Sequence, residues 1–97
     1  MTVVILTKAT FVETLHTQFH VHTISGATVE LVLIELSEGR AISGHEAFSL
    51  TFRGPLDAFL DQGMVSISHD VIGEFDLFIV PIVQTSDGFL YEAVFNR

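Results

Sequence analysis

Five histidines are the residues of this chain best suited to chemistry near neutral pH. His20 and His22 are two residues apart, so on a β-strand both side chains would point to one face and could chelate a metal ion. A third ligand would come from Glu30 or Glu35 on a paired strand. His-x-His alone is a weak pattern, and we interpret the pair as the polar outer face of a strand.

The polar segment 37–47 offers a second candidate, in which His45 acts as a base that Glu46 orients. A hydrolase would also need a nucleophile, for which Ser43 and Ser49 are the nearest hydroxyls. The sequence contains no Gly-x-Ser-x-Gly elbow to present either of them. We therefore interpret the segment as a solvated loop.

Two pairs of carboxylates could serve a glycosidase or hold a cation: Asp57 with Asp61, and Glu74 with Asp76. Neither pair has the glycine and acid spacing of a calcium loop, and we interpret both as solvated surface. None of these motifs indicates a catalytic, cofactor-binding or metal-binding residue. The protein is predicted not to be an enzyme and to need no cofactor.

Composition limits the possible partners. The 97 residues predict a single β domain over residues 1–97. Four Lys and Arg stand against twelve Asp and Glu, and the net charge of −8 argues against binding to nucleic acid or to an anionic membrane. Hydrophobic residues make up 48% of the chain, and without cysteine it has neither disulfides nor thiolate metal sites.

No segment of the sequence is predicted to act as a secretory signal or a membrane span. The first apolar run, residues 3–6, is shorter than the roughly 7–15 apolar residues of a secretory signal. No stretch approaches the ~20 apolar residues of a membrane span. We expect a soluble protein without membrane insertion, either cytoplasmic or part of an assembled particle.

Hydrophobic periodicity predicts an all-β fold, a small antiparallel barrel or sandwich of about six strands with one short N-terminal helix. Thr7 is suited to cap a helix over 8–15 that buries Phe11 and Leu15. Segment 55–63 is predicted to form one helical turn. The strands are predicted over 18–24, 27–36, 48–52, 64–68, 74–83 and 89–95.

The fifth predicted strand, with the sequence EFDLFIVPIV, is apolar on both faces. A two-residue turn at Asp87-Gly88 would place Phe78, Val80 and Ile82 in the core. Three explanations are open for the other face: cover by the helix and segment 56–60, cover by a partner subunit, or a bulge near Pro81 that reverses the alternation. We expect the helix and a partner to act together.

The predicted interface combines one cation with the apolar face of the hairpin formed by the fifth and sixth predicted strands, the face that lies opposite the predicted core. Arg53 follows a core strand and either pins the next turn through a neighbouring acid or reaches a carboxylate of a partner. The candidate interface residues are Leu77, Ile79, Pro81, Val83, Val94 and Arg53.

The motifs FSLTFRGP, LFIVPI and YEAVFN together resemble a family of small bacterial all-β proteins that is a domain of unknown function. The resemblance implies a short helix after a Leu-Thr opening, as at Leu6-Thr7. It also implies an accessory or structural role beside phage-tail-collar-like surface proteins, and it supplies no catalytic residues. The additional MTVVI before Leu6 departs from the shortest members and is available as an added strand between subunits.

We therefore expect a non-enzymatic structural module that self-associates or docks on a larger surface or phage-tail-like assembly. Its partners would be further copies of itself, another structural protein, or both. The first alternative is a small-ligand-binding barrel lined by phenylalanines, and the second is a hydrolase or metal site that uses His20, His22 or His45.

Overall fold

The structure, a computed structural model, describes residues 6–39 and 47–96. The predictions for His45, Glu46, Ser43 and the MTVVI segment lie outside these residues. Within the described ranges, no helix has the length and apolarity that crossing a membrane requires. The elements are α1 (Lys8–Glu13), β1 (Gln18–His22), β2 (Thr28–Glu38), β3 (Ala47–Gly54), β4 (Gly63–His69), β5 (Gly73–Gln84) and β6 (Phe89–Asn96).

The six strands form a closed antiparallel barrel in the order β1-β2-β3-β6-β5-β4. The prediction of a small antiparallel β fold with one short N-terminal helix is confirmed. Two three-stranded meanders, β1-β2-β3 and β4-β5-β6, meet where β1 pairs with β4 and where β3 pairs with β6. Because β3 and β4 lie on opposite sides of this ring, the segment 55–62 between them crosses one end of the barrel.

Helix α1 closes the other end. Thr7 caps it as predicted, since its Oγ1 accepts a hydrogen bond from the Thr10 backbone N–H at 3.3 Å. The helix ends at Glu13, two residues before the predicted end. Phe11 is fully buried and directs its ring into a cluster of four aromatic rings, with centroid distances from 5.3 to 6.4 Å. These rings belong to Phe19, Phe48, Phe75 and Phe95.

The pairing of strand β5 explains why its sequence is apolar on both faces. Its first half alternates regularly and points Leu77 and Ile79 into the barrel. A bulge then falls between Pro81 and Val83, where the pairing with β6 shifts by one residue. As a result Ile79 is 0% exposed, whereas Val83, four residues later and on the same face of a regular strand, is 50% exposed. The bulge near Pro81 is confirmed, and it explains much of the two-faced pattern.

The predicted register of the β5-β6 hairpin is wrong. Instead of a two-residue turn at Asp87-Gly88, the loop begins at Thr85, whose N–H donates to the Gly88 carbonyl at 2.8 Å. The Thr85 hydroxyl oxygen also accepts hydrogen bonds from the N–H groups of Asp87 and Gly88, both at 3.2 Å. This longer loop pairs Gln84 with Phe89. The side chain of Thr85 therefore sets the register, in a way that the Asp-Gly signal does not indicate.

The correct register revises the predicted faces. Leu77 and Ile79 were predicted at the interface, but they point into the barrel and cannot contact a partner. Phe78 and Ile82 were predicted in the core, but both are exposed. The physical reason is that β4 pairs with the first half of β5 and fixes Ile79 inward, before the bulge reverses the alternation.

The two meanders repeat one plan, which the sequence analysis did not find. In β2 the bulge follows Leu33, which pairs with Phe52; in β5 the bulge follows Pro81, which pairs with Tyr91. Phe52 and Tyr91 in turn pair with each other across the junction of β3 and β6. The two bulges and their pairings are therefore related by an internal two-fold axis, which passes through the junction of β3 and β6. The sequence of β2 is also apolar on both faces, since Leu31 and Leu33 alternate with Val32 and Ile34, and its bulge gives this pattern the same origin as in β5.

The predicted helical turn over 55–63 is also wrong. Residues 55–62 form a turn and an irregular crossing, in which Leu60 turns inward and Phe59 remains exposed. The Leu60 N–H donates to the Tyr91 hydroxyl at 3.0 Å. This buried hydrogen bond supplies the partner that a helical turn would otherwise have given the backbone.

Replacing Phe11 with Ala is expected to lower the free energy of unfolding by about 3–5 kcal/mol, because it leaves a cavity among four aromatic rings. Val12→Ala, at the next and exposed position of α1, is the matched control and should change it by less than about 0.5 kcal/mol. Urea denaturation followed by circular dichroism measures both. Equal effects of the two substitutions would show that α1 does not close the barrel.

Candidate functional site

The two histidines of β1 share the outer face of the barrel, as predicted. His20 Nδ1 lies 2.8 Å from Glu30 Oε2 on β2, and its Nε2 lies 4.0 Å from Asp70 Oδ1. His22 Nε2 instead lies 2.7 Å from the Ser68 hydroxyl on β4. The pair is therefore brought together on one face, but each imidazole has a different partner.

These contacts do not assemble a metal or hydrolase site. Among the described residues, no group of three or more His, Cys, Asp or Glu side chains is placed to hold a metal ion. His22 and Ser68 have the spacing of a base and a nucleophile, yet the described contacts give His22 no carboxylate to orient its ring. The observed geometry is that of a polar, hydrogen-bonded strand surface.

The buried histidine is His69, which the sequence analysis did not single out. Its Nδ1 accepts hydrogen bonds from the backbone N–H groups of Val71 at 3.0 Å and Ile72 at 3.4 Å. The ring proton therefore sits on Nε2 and is donated to the Thr17 hydroxyl oxygen at 2.8 Å. The Thr17 hydroxyl donates in turn to the Thr14 carbonyl at 2.6 Å. This chain ties the turn at 70–72 to the connection between α1 and β1.

Burial lowers the pKa of His69 below its ordinary value of 6.5. The nearby Asp70 carboxylate opposes this shift, and His20 adds to it. The neutral ring also suits the hydrogen bonds, because Nδ1 can accept from the backbone only when it carries no proton. His69 is thus a structural residue whose neutral form the fold requires.

A groove of about 530 Å³ opens on the outside of the barrel beside β4; we call it the acidic groove. Its lining is mainly apolar, with Leu60 and Val65 set deep and with Ile24 and Met64 exposed. The Leu60 N–H bond to the buried Tyr91 hydroxyl fixes this part of segment 55–62. The carboxylates that line the groove are Asp61 and Asp76.

Tyr91 remains protonated beneath the groove. Burial raises the pKa of the Tyr91 hydroxyl; the hydrogen bond from the Leu60 N–H opposes this, and the Asp61 carboxylate adds to it. The hydroxyl is therefore a neutral anchor for Leu60. Its contribution to the groove is positional, since the Tyr91 side chain itself is fully buried.

A second groove, of about 510 Å³, contains Arg53. Its rim includes Asp57 and Asp87, yet among the described residues Arg53 forms no ion pair. The stem of Arg53 instead packs on the β5-β6 turn, where a Cβ on Gly88 would lie 3.1 Å from Arg53 Cγ. Arg53 thus contacts a turn, but by packing and against a different turn from the one predicted. Its contact with a partner carboxylate stays a prediction.

The outer face of β5 and β6 carries an apolar stripe, which we call the outer stripe. Val83 pairs with Leu90 on this face, and Val94 is 68% exposed. Pro81 lies at the bulge and is only partly exposed, because it faces the buried Tyr91. Of the predicted interface residues, Val83 and Val94 are the well-exposed apolar ones. The members of the outer stripe are Phe78, Ile82, Val83, Leu90 and Val94.

Comparison with known proteins gives one match. The sequence model of a family described as a domain of unknown function, DUF6916, matches residues 6–95. The match covers the helix, all six strands and both grooves, so the resemblance seen in the sequence motifs is confirmed. No curated protein and no solved structure matches the chain.

The neutral His69 makes stability depend on pH. Because the folded state holds a lower pKa than the unfolded state, the unfolded chain binds more protons below about pH 6.5. The free energy of unfolding should be greatest above that pH and fall below it, by up to about 1.4 kcal/mol per pH unit from this residue. Urea denaturation between about pH 8 and 5 measures this slope.

His69→Gln should flatten the slope just below pH 6.5, at the cost of lower stability at pH 8. His22→Gln, which removes an exposed histidine on the outer face, should leave the slope in place. The assignment is contradicted if His69→Gln and the wild type show the same dependence on pH.

Proposed function

We propose that this chain, which belongs to the DUF6916 family of domains of unknown function, is a non-enzymatic assembly module that contacts another protein through its outer stripe. The first form of the proposal is self-association. The second is docking on a larger structural surface, of which a phage-tail-like assembly would be one kind. The observation that carries the proposal is that Val83, Leu90 and Val94 form an apolar surface outside a closed barrel.

The apolar side chains of the outer stripe stay exposed in the folded chain, so a partner that buries them would gain hydrophobic free energy. Fully burying one Val, Leu, Ile or Phe side chain is worth about 1.5–3 kcal/mol, and the stripe has five such side chains that are wholly or partly exposed. On β6 the stripe is interrupted by Glu92, which lies between Leu90 and Val94. A small domain with net charge −8 would associate most readily through an apolar surface, and Arg53, which pairs with Leu90 across β3 and β6, adds one cation beside this one.

The interior of the barrel supports this function over a ligand-binding barrel. Phe19 and Phe52 stack edge to face with centroids 5.2 Å apart inside the barrel, and both are fully buried. Ile67 and Ile79 also point into the barrel with no exposure. A ligand inside would have to displace these side chains, whereas the two grooves found lie on the outer surface.

Sedimentation equilibrium over a range of protein concentrations tests the first form. The wild type should show a mass well above 10.7 kDa, and the double substitution Val83→Glu with Val94→Glu should return it to 10.7 kDa by placing charges in the contact. Val71→Glu, an exposed apolar residue in the turn at 70–72, is the matched control and should not dissociate the assembly. Circular dichroism checks that all variants are folded.

A wild type that sediments at 10.7 kDa at every concentration would contradict self-association. Docking would then be tested by quantifying co-purification from the native host for the same variants. The stripe would be excluded as a contact surface if the double glutamate variant retained every partner that the Val71→Glu control retains.

A further inference from the structure

We infer that the acidic groove binds a basic, partly apolar segment of a different protein, in which Lys or Arg residues alternate with Leu, Val or Ile. This inference rests on the proposed function, since it names a partner class for a protein-binding module. It uses a surface beside β1 and β4, whereas self-association uses the outer stripe on β5 and β6.

Hydrogen bonds fix the backbone that carries the exposed apolar side chains of the groove. Ile24 is 108% exposed, so it buries no surface in the folded chain. Its turn is nevertheless fixed, because the Thr23 N–H donates to the Ala27 carbonyl at 2.9 Å and the Gly26 N–H donates to the Thr23 carbonyl at 3.0 Å. Met64 faces the same groove from β4 and is 66% exposed. A flexible thioether beside a fixed aliphatic group suits contact with varied apolar side chains.

The charge of the groove defines the other half of the ligand. Asp61 and Asp76 both line it and are both exposed. The cations that the structure describes lie elsewhere: Lys8 pairs with Glu38, and Arg53 lies in the second groove. Within residues 6–39 and 47–96, no basic side chain forms an ion pair with either aspartate. A ligand that brings Lys or Arg would therefore meet two carboxylates that no described basic side chain of this chain pairs with.

A second copy of this chain fits the groove poorly. Each copy has four Lys and Arg against twelve Asp and Glu, so two acidic surfaces would meet. The groove is lined by side chains from β1, β4, β5 and the segment 55–62, so a partner is recognised there through its side chains. The volume of about 530 Å³ accommodates several side chains, which favours a peptide segment over a single ammonium group.

Fluorescence anisotropy with labelled synthetic peptides tests this inference. The probe is a peptide of about ten residues in which Lys alternates with Leu, and its counterpart replaces every Lys with Glu. The Lys peptide should bind and the Glu peptide should not, and raising the salt from about 0.05 to 0.5 M should weaken binding several-fold. Asp61→Asn with Asp76→Asn should weaken it about tenfold or more, as should Ile24→Ser alone.

Two matched controls distinguish binding in the groove from a general effect of net charge or of exposed apolar surface. Asp57→Asn with Asp87→Asn changes the net charge by the same amount in the second groove and should leave the affinity within about twofold. Val71→Ser removes an exposed apolar group elsewhere and should have no effect. Amide NMR shifts on adding the Lys peptide should concentrate at Ile24, Met64 and Ser66.

The inference is overturned if the Lys peptide fails to bind at millimolar concentration, or if the control pair weakens binding as much as the groove pair. Binding of free lysine as tightly as the peptide would overturn the assignment to a segment. The Val83→Glu and Val94→Glu variant should bind the peptide normally. A failure of the peptide test with intact self-association would therefore reject this partner class alone, and the reverse result would reject only the role of the outer stripe.

Discussion

A closed ring of six strands encloses space for only one face of each strand, and this limit governs the rest of the structure. β2 and β5 are the long strands, and each must pair with one neighbour in its first half and with another in its second. A bulge at the change of partner lets each strand bend and continue round the ring. The matching bulges after Leu33 and Pro81 give the two halves of the barrel one common plan.

The same limit on interior space determines which apolar residues remain on the surface. The interior is filled by side chains from all six strands, while α1 and segment 55–62 cover its ends. Val83 therefore lies outside beyond the bulge of β5, and Ile82 and Val94 are exposed on the same outer surface. The two proposed contact surfaces, the outer stripe and the acidic groove, are accordingly separate parts of the outer surface.

The sequence predicted the parts that depend on local pattern. Phe48, Leu50 and Phe52 alternate with polar residues and all point inward, and Thr7 caps the helix as expected. The exact pairing depended on the Thr85 side chain and on long-range contacts, which no local pattern reports. The acidic groove was missed for a related reason: Ile24, Asp61 and Asp76 come from three distant segments. Only the ring closure brings them together.

The central claim is that the bulge in β5 turns Val83 outward, although Ile79, four residues earlier, points inward. NMR of methyl-labelled protein with a soluble paramagnetic agent tests it directly, since a regular strand would place these two residues on one face. The claim predicts strong broadening of the Val83 methyl signals and little broadening of those of Ile79, under dilute conditions where the chain is monomeric. Equal broadening of the Ile79 and Val83 methyl signals, or stronger broadening of Ile79, would contradict it.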